Sequence, residues 1–378
     1  TVRVDWDRAT DWKDGEVIEL QWFIVVCFWR LALGTKRRLH STIRHSGAVR
    51  GAGIAGMLIC CGACTDTLLG PAPAVDRSTM FDQLWGQFDL HYSFFAFKGV
   101  NWDSLGAEYR PRALAARTNA EFATQVGAML RELKDVHVSL SPTAASTYGY
   151  VSTFDTITTY FNSLMIFKNY VPQSMTTAGG HIKYGVVAAG IGYVRIGSFA
   201  GSGWADEIDE ALDSLADATS LIVDVRNNSG GNVQLAIKIA GRFTAISRRY
   251  GWVRFRNGPK HTDFTDFAEE TVGKTGKAKY RGKVFVLTNR RDFSSAEDFV
   301  LAMRVIPRVT VVGDTTAGAS GGPVPREMAN GWSYEMSEWI EYLPGKKMFE
   351  GVGLAPDVYV RAVSGRDLIL ERALALAR

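Results

Sequence analysis

A serine at the start of a predicted helix is the first candidate for chemistry. Ser294 follows a predicted buried strand, and its hydroxyl is expected at the positive end of the helix dipole, beside the N–H of Ser295. That position suits a nucleophile whose product is an oxyanion. The same segment is also a capping box, in which Ser294 caps the helix and Glu297 reaches back to it. Taken alone, the segment favours the cap.

A second polar loop follows another predicted strand. Residues 224–232 read Asp-Val-Arg-Asn-Asn-Ser-Gly-Gly-Asn, and Gly230 and Gly231 allow backbone N–H groups to face outward, where they can hold developing negative charge. The alternative is a tight strand-to-helix turn with Asn232 as the N-cap. Both loops lie where ligand sites of open α/β sheets are found, at the carboxyl ends of strands.

The elements that must position these loops begin near residue 190. Apolar runs alternate with amphipathic helices, which predicts an α/β fold with a parallel or mixed sheet. The predicted strands are 191–196, 220–225, 283–287 and 309–312, and the predicted helices are 204–215, 233–243 and 294–304.

Three domains or segments are predicted between the leader and the C-terminus. Helical patterns make residues 78–140 a small N-terminal helical domain, 141–189 a linker with short strands, and 190–378 the core. The linker is too short for an inserted domain of the usual ~100 residues.

Composition limits the class of protein. The chain is 46% hydrophobic and 22% charged, which is typical of a globular protein. Its net charge is +4, yet beyond residue 63 there are 34 Lys and Arg against 33 Asp and Glu. No basic run beyond residue 50 is combined with stacking aromatics, so nucleic acid is not an expected partner. No metal or organic cofactor is suggested.

All four cysteines lie in residues 1–64, which predict a leader. A basic stretch (44–50), an apolar stretch (51–61) and small residues before Cys64 form the pattern of a secretory signal, similar to that of a bacterial lipoprotein. Cys64 would then be lipidated, residues 65–77 would be a tether, and the protein would be exported to the bacterial cell envelope. Residues 1 to about 45 are interpreted as the product of a mis-set start.

Four motifs in fixed order resemble those of the C-terminal-processing peptidases, family S41. They are residues 224–231, 294–299, 312–318 and 351–357, and the resemblance covers roughly residues 78–360. It implies a ClpP/crotonase-like core after a helical domain, and a nucleophile at Ser294. The PDZ domain that tail-specific relatives insert has no room in the linker.

The resemblance also suggests the base. Tail-specific members use a lysine at the position of Ala319, so a Ser–Lys dyad is not possible here. The branch with the tricorn core protease and the interphotoreceptor-retinoid-binding proteins uses a histidine in a Leu-x-Asp-x-His setting. Residues 133–137 read Leu-Lys-Asp-Val-His, which points to His137, the one histidine of six that ends a helix facing a new domain. Glu350 falls where that branch has an orienting acid. The serine that the branch has beside its histidine is replaced by Val136.

The expected function is therefore hydrolysis of a peptide or protein substrate by a serine peptidase. Two alternatives stay open: a catalytically inactive ligand- or peptide-binding protein on the same fold, and a crotonase-type acyl-CoA enzyme. The sequence does not indicate an oligomeric state. The predicted catalytic groups are Ser294, His137 and Glu350, and the predicted oxyanion donors are the N–H groups of Gly230, Gly231 and Ser295.

Overall fold

The computed structural model describes residues 76–143, 145–150, 157–277 and 280–378, which belong to one compact unit, Ala74–Arg378. The predicted leader with Cys64 and the tether up to residue 75 lie outside the described residues. Within the described ranges, no helix has the length and apolar character needed to cross a bilayer.

Four helices form the N-terminal region, and side-chain caps fix where the long ones begin. Asp76, Asn101 and Thr118 each accept a backbone N–H from the first turn of the helix that follows. These helices pack around an aromatic cluster that includes Phe88 and Trp102, both fully buried. Their bounds are α1 (Arg77–His91), α2 (Phe95–Lys98), α3 (Trp102–Leu114) and α4 (Asn119–Arg131).

The larger sheet has seven strands in the order β13-β10-β9-β6-β5-β4-β3. The five from β13 to β5 are parallel, and β4 and β3 extend the sheet as antiparallel strands. All five residues of β6 are buried, as expected for a strand covered on both faces. The strands are β3 (Met175–Thr176), β4 (Ile182–Ala188), β5 (Ile191–Ile196), β6 (Ser220–Asp224), β9 (Lys283–Thr288), β10 (Val309–Gly313) and β13 (Val358–Tyr359).

Helices cover both faces of this sheet. On one face, α6, α7 and α8 share a core with the strands, and on the other face α5 and α9 do so. The helices are α5 (Ser163–Asn169), α6 (Glu207–Ser214), α7 (Val233–Ala240, continued by a 3₁₀ turn over Gly241–Phe243), α8 (Ser295–Arg304) and α9 (Leu368–Ala377).

A second sheet of six antiparallel strands has the order β2-β1-β12-β7-β8, with β11 paired to β12. One face of this sheet shares the apolar cluster of the N-terminal helices. This second sheet was not predicted from the sequence, because most of its strands mix exposed and half-buried residues and lack long apolar runs. The strands are β1 (Ser139–Thr143), β2 (Ser146–Gly149), β7 (Arg248–Phe255), β8 (Ala268–Val272), β11 (Gly321–Glu327) and β12 (Ser333–Tyr342).

The predicted alternation of strands and helices beyond residue 190 is confirmed. The four predicted strands are β5, β6, β9 and β10, each within one residue of the expected ends. Helix α6 begins at residue 207 and not at 204, and α8 begins at Ser295, so that Ser294 precedes its first turn. Asn232 caps α7 as its alternative interpretation stated, since its side chain accepts the N–H of Gln234 at 2.8 Å.

Candidate active site

Ser294 occupies a strained turn between β9 and α8. Its φ of 58° and ψ of −136° are unusual for a residue with a side chain, and such strain is concentrated at functional sites. The side chain makes no capping hydrogen bond, so the capping-box interpretation of Ser294 is wrong. Its hydroxyl is half-buried at the N-terminus of α8, where the helix dipole favours negative charge.

Glu297 does not reach back to Ser294 either. Its buried carboxylate accepts the N–H groups of Gly318 and Ala319, both at 2.8 Å, and the hydroxyl of Thr316. Burial raises the pKa of Glu297 to about 7, against the lowering effect of these donors. The bonds fix the loop after β10 to the first turn of α8.

Gly230 lies directly against the nucleophile candidate. A Cβ added at Gly230 would lie 2.8 Å from the Cβ of Ser294 and 3.0 Å from the backbone N of Ser295, and the φ of Gly230 is +82°. Both the space and the backbone conformation therefore require glycine at this position. The glycine loop and the serine turn, which are 64 residues apart in sequence, form one site.

Side-chain amides join the same two loops. Asn289 donates from Nδ2 to Oδ1 of Asn227 at 2.8 Å, and the N–H of Asn227 donates to Oδ1 of Asn289 at 3.1 Å. Buried Asp292 accepts the N–H groups of Asn289 and Asn228. These bonds hold Ser294 in register with the glycines.

The predicted oxyanion donors differ in availability. The N–H of Gly230 donates to Oδ1 of Asn228 at 2.8 Å, so it is already used. The N–H groups of Gly231 and Ser295 donate to no partner among the residues that the structure describes. Ser295 N–H also lies at the positive end of the helix dipole. Two of the three predicted donors therefore have no hydrogen-bond partner among the described residues.

His137 lies in the turn between α4 and β1 and reaches the serine turn. Its ring centroid is 6.3 Å from that of Phe293, the residue before Ser294, and it is 7% exposed. Neither ring nitrogen has a hydrogen-bond partner among the described residues, Ser294 included. Burial lowers the pKa of His137; the Asp135 carboxylate acts to raise that pKa and the Lys98 ammonium to lower it. The imidazole is therefore a neutral, unpaired base beside the serine turn.

Glu350 lies in a buried polar group that also contains Lys98, Asp135 and Ser320. Its Oε1 is 3.0 Å from Nζ of Lys98, and its Oε2 accepts the N–H and hydroxyl of Ser320 at 2.9 and 3.1 Å. Burial and the Asp135 carboxylate raise the pKa of Glu350, and Lys98 opposes them. Glu350 is thus held by Lys98 and Ser320, without a hydrogen bond to the imidazole of His137.

Asp135 is the carboxylate with a direct bond to the histidine residue. Its Oδ1 accepts the backbone N–H of His137 at 2.9 Å, and its Oδ2 accepts the hydroxyls of Tyr92 and Ser337 at 2.9 and 3.0 Å. Lys98 Nζ lies 3.6 Å from the same Oδ2. The Leu-x-Asp-x-His pattern contained this aspartate, whereas nothing in the sequence around Lys98 marked it as part of the site.

Comparison with known proteins now identifies the family. The family model described as Peptidase family S41 matches residues 190–360, and that of the Tricorn protease C1 domain matches residues 73–131. Carboxy-terminal processing protease CtpA of Bacillus subtilis is 28% identical over 161 residues, which are 40% of this chain and 32% of the relative. The carboxyl-terminal-processing protease of Synechocystis is 27% identical over 201 residues, 50% of this chain and 44% of the relative. The matches span between 27% and 44% of the length of these and similar curated relatives.

A solved structure gives the fuller match. A putative peptidase from Parabacteroides merdae is 31% identical, with a TM-score of 0.71, and the match covers 80% of this chain and 97% of that one. With the family model on the sheet that carries Ser294 and this relative matched over nearly its whole length, the chain belongs to peptidase family S41.

Proposed function

We propose that the protein is a serine peptidase that hydrolyses peptide bonds through an acyl-enzyme on Ser294. The observation that carries the proposal is the buried imidazole of His137, which packs against the residue that precedes Ser294 and whose nitrogens have no hydrogen-bond partner in the part of the chain that the structure describes. A neutral imidazole beside a strained serine is the arrangement needed to activate a hydroxyl. The names of the curated relatives, carboxy-terminal processing proteases, agree with this chemistry.

The proposed reaction assigns the nucleophile to Ser294 and the general base to His137. Ser294 Oγ attacks the scissile carbonyl carbon while His137 takes the hydroxyl proton, and the imidazolium then gives that proton to the leaving amine. Water next attacks the acyl-enzyme with His137 again as base, which releases the acid and restores the serine. In the resting structure His137 and Ser294 share no hydrogen bond, and we propose that substrate binding brings them into contact.

The tetrahedral oxyanion would be held by the N–H groups of Gly231 and Ser295. Neither N–H group donates a hydrogen bond to another described residue, and that of Ser295 lies at the N-terminus of α8. Gly230 serves a different purpose from the one expected from the sequence, since its N–H is occupied by Asn228. Its missing side chain lets the serine turn approach the loop.

Two carboxylates would stabilise the imidazolium that forms during catalysis. Asp135 is the nearer, through its bond to the His137 backbone, and Glu350 acts from the other side of Lys98. We propose that Glu350 positions Lys98 and Ser320, so that its contribution to His137 is indirect.

Active-site labelling tests the proposal. A fluorophosphonate probe should modify the wild-type protein, should fail to modify Ser294→Ala, and should still modify Ser214→Ala, whose serine is exposed at the C-terminal end of α6. His137→Gln should lower the labelling rate by at least ~100-fold. A folded wild type that neither reacts with the probe nor cleaves a peptide library would instead indicate a binding protein on this fold.

We also propose that the protein is exported and anchored by a lipid at Cys64. The support is the order of basic, apolar and small residues before that cysteine. An alkyne-tagged fatty acid should be incorporated into the wild type and not into Cys64→Ser, and only the wild type should sediment with membranes. Equal sedimentation of the two would contradict the anchor.

A further inference from the structure

Three carboxylates from distant parts of the chain meet behind the nucleophile helix. Glu270 lies on β8, Asp298 on α8 and Glu341 on β12, and one carboxylate oxygen of each lies within 4.8 Å of the other two. Asp298 is four residues after Ser294 and begins the second turn of its helix. The group therefore joins the second sheet to the helix that carries the proposed oxyanion donor.

Two of these carboxylates are buried and that of Glu270 is half-buried, and Asp298 and Glu341 are close enough to share a hydrogen bond when one of them is protonated. Asp298 is 3% exposed and Glu341 is 8% exposed. Among the described residues, the charged groups that act on the three carboxylates are the carboxylates themselves. Three negative charges at such separations in a buried site repel strongly, so the cluster needs either protons or a cation to be stable.

Unpaired oxygen atoms mark the side chains as ligands. Asp298 Oδ1 and Glu270 Oε2 are inaccessible to solvent and have no hydrogen-bond partner within the described residues. Glu341 is oriented from outside, because Trp339 Nε1 donates to its Oε1 at 3.1 Å. Buried acceptors without donors are rare in folded proteins, and an unseen ion is one of the standard reasons for them.

The chemistry of the donors selects the cation. Carboxylate oxygens favour hard cations, and zinc or copper would favour imidazole or thiolate, which this group lacks. Mg²⁺ dehydrates reluctantly and usually keeps several waters, whereas Ca²⁺ is readily held by protein oxygens. Because Asp298 Oδ1 and Glu270 Oε2 are inaccessible to solvent, the group favours calcium.

We infer that Glu270, Asp298 and Glu341 form a calcium site that fastens α8 to the second sheet. We assign the site a structural role, since Asp298 lies about one helical turn beyond Ser294 and the three carboxylates are not among the proposed catalytic side chains. It is linked to the active site through the backbone, because the N–H of Glu341 donates to the carbonyl of Ser320, whose hydroxyl binds Glu350. The site could not be predicted from the sequence, because its ligands are far apart along the chain.

Calcium titration of the chelator-treated full chain tests the site. Calorimetry should show one equivalent bound, and the Tm should rise by roughly 5 °C at a concentration about 100-fold above Kd. Asp298→Asn and Glu270→Gln should each weaken binding at least ~10-fold. Glu269→Gln is the matched control and should bind as the wild type does, since that exposed neighbour on β8 pairs with Arg249 at the surface.

Terbium luminescence gives a readout that does not require the ligand variants to fold. Trp339 touches Glu341, so its indole should sensitise bound Tb³⁺, calcium should quench the emission by competition, and Trp339→Phe should lose most of it. The proposal is overturned if wild type shows neither heat nor a shift in Tm up to about 10 mM Ca²⁺. It is also overturned if Asp298→Asn and Glu270→Gln bind calcium like the wild type, or if Mg²⁺ alone stabilises the protein.

Discussion

Gly230 and Ser294 are in such close contact that a methyl group on the first would overlap the side chain of the second. The Cβ of an alanine at position 230 would lie 2.8 Å from the Cβ of Ser294, and backbone atoms at 2.7 and 3.0 Å prevent escape to either side. The contact joins the two loops that the sequence marked separately, and it makes the position of the nucleophile depend on a residue that does no chemistry.

Gly230→Ala should therefore lower kcat/KM by about 100-fold or more, because it displaces Ser294 from the oxyanion donors. Gly203→Ala is the matched control, since Gly203 has nearly the same φ, +83° against +82°, but no atom within 4 Å of the added Cβ. Gly203→Ala should lose about 1 kcal/mol of unfolding free energy through backbone strain. Gly230→Ala should lose about 1–3 kcal/mol more, because the clash adds to that strain. Steady-state kinetics and urea unfolding separate the two effects; equal activity losses would show that strain, and not the clash, is responsible.

The acid limit of activity should lie below pH 6.5. Because burial lowers the pKa of His137, the folded protein keeps a neutral base at a pH where a free histidine is already protonated. The pH profile of kcat/KM reports this folded pKa. If the acid side of the kcat/KM profile were centred above about pH 6.5, His137 would not be the base.

The same shift makes stability fall as the solution is acidified. Below about pH 6.5 the unfolded chain binds a proton at His137 and the folded protein does not, so the unfolding free energy decreases as the pH drops until the folded pKa is reached. His137→Gln should have a shallower decrease between about pH 7 and pH 5. Urea unfolding across this range measures the slope, and identical slopes for the two proteins would contradict the shift.

Lys98 should control that pKa and hold the buried acids. Lys98→Met removes a cation that lowers the pKa of His137, so the acid limb of kcat/KM should move to higher pH. It also leaves Glu350 and Asp135 without their ammonium, which should decrease the unfolding free energy by about 3 kcal/mol. Lys98→Arg should restore much of the unfolding free energy and return most of the acid limb of kcat/KM to lower pH.

An exposed lysine at a helix end, Lys168, supplies the control, since Lys168→Met should change the unfolding free energy by no more than about 0.5 kcal/mol. An acid limb that stays in place in Lys98→Met would refute the electrostatic role.

The parts of the fold that the sequence predicted are those with strong periodic signals. The strands of the parallel sheet are continuous apolar runs, such as β6 with all residues buried, and the helices between them are amphipathic. The second sheet was not predicted because strands such as β8 alternate half-buried and exposed residues without a long apolar run. Its pairing depends on contacts between distant segments, for example β1 with β12.

The candidate site also contains residues that could be predicted from the sequence and residues that could not. Ser294 and the glycines follow strands directly, so the local pattern placed them at one sheet edge. His137 was indicated by the resemblance to family S41, through the Leu-x-Asp-x-His setting. The role of Lys98 depends on α2 packing beside a loop some 250 residues later, and no local signal reveals that. The alternative interpretation of Ser294 as a helix cap is wrong, since the residue adopts a positive φ and its side chain makes no capping hydrogen bond.

Arg226 should be far more important for stability than a surface arginine with a similar ion pair. Its guanidinium is 2% exposed and binds Asp224 and Asp367, so it anchors the start of the loop that carries Gly230 to the N-cap of α9. Arg226→Met leaves two buried carboxylates unpaired and should lower the unfolding free energy by about 3–5 kcal/mol.

The control is Arg249→Met, whose exposed pair with Glu269 at 2.8 Å should contribute about 1 kcal/mol or less. Urea unfolding of the two variants compares the losses directly. Replacing both Asp224 and Asp367 by Asn in the Arg226→Met background should recover part of the loss, because the neutral amides remove the unpaired charges. If Arg226→Met were as mild as Arg249→Met, the buried ion pairs would not be what holds this loop, and the position of Gly230 against Ser294 would have to depend on the Asn227–Asn289 amide bonds instead.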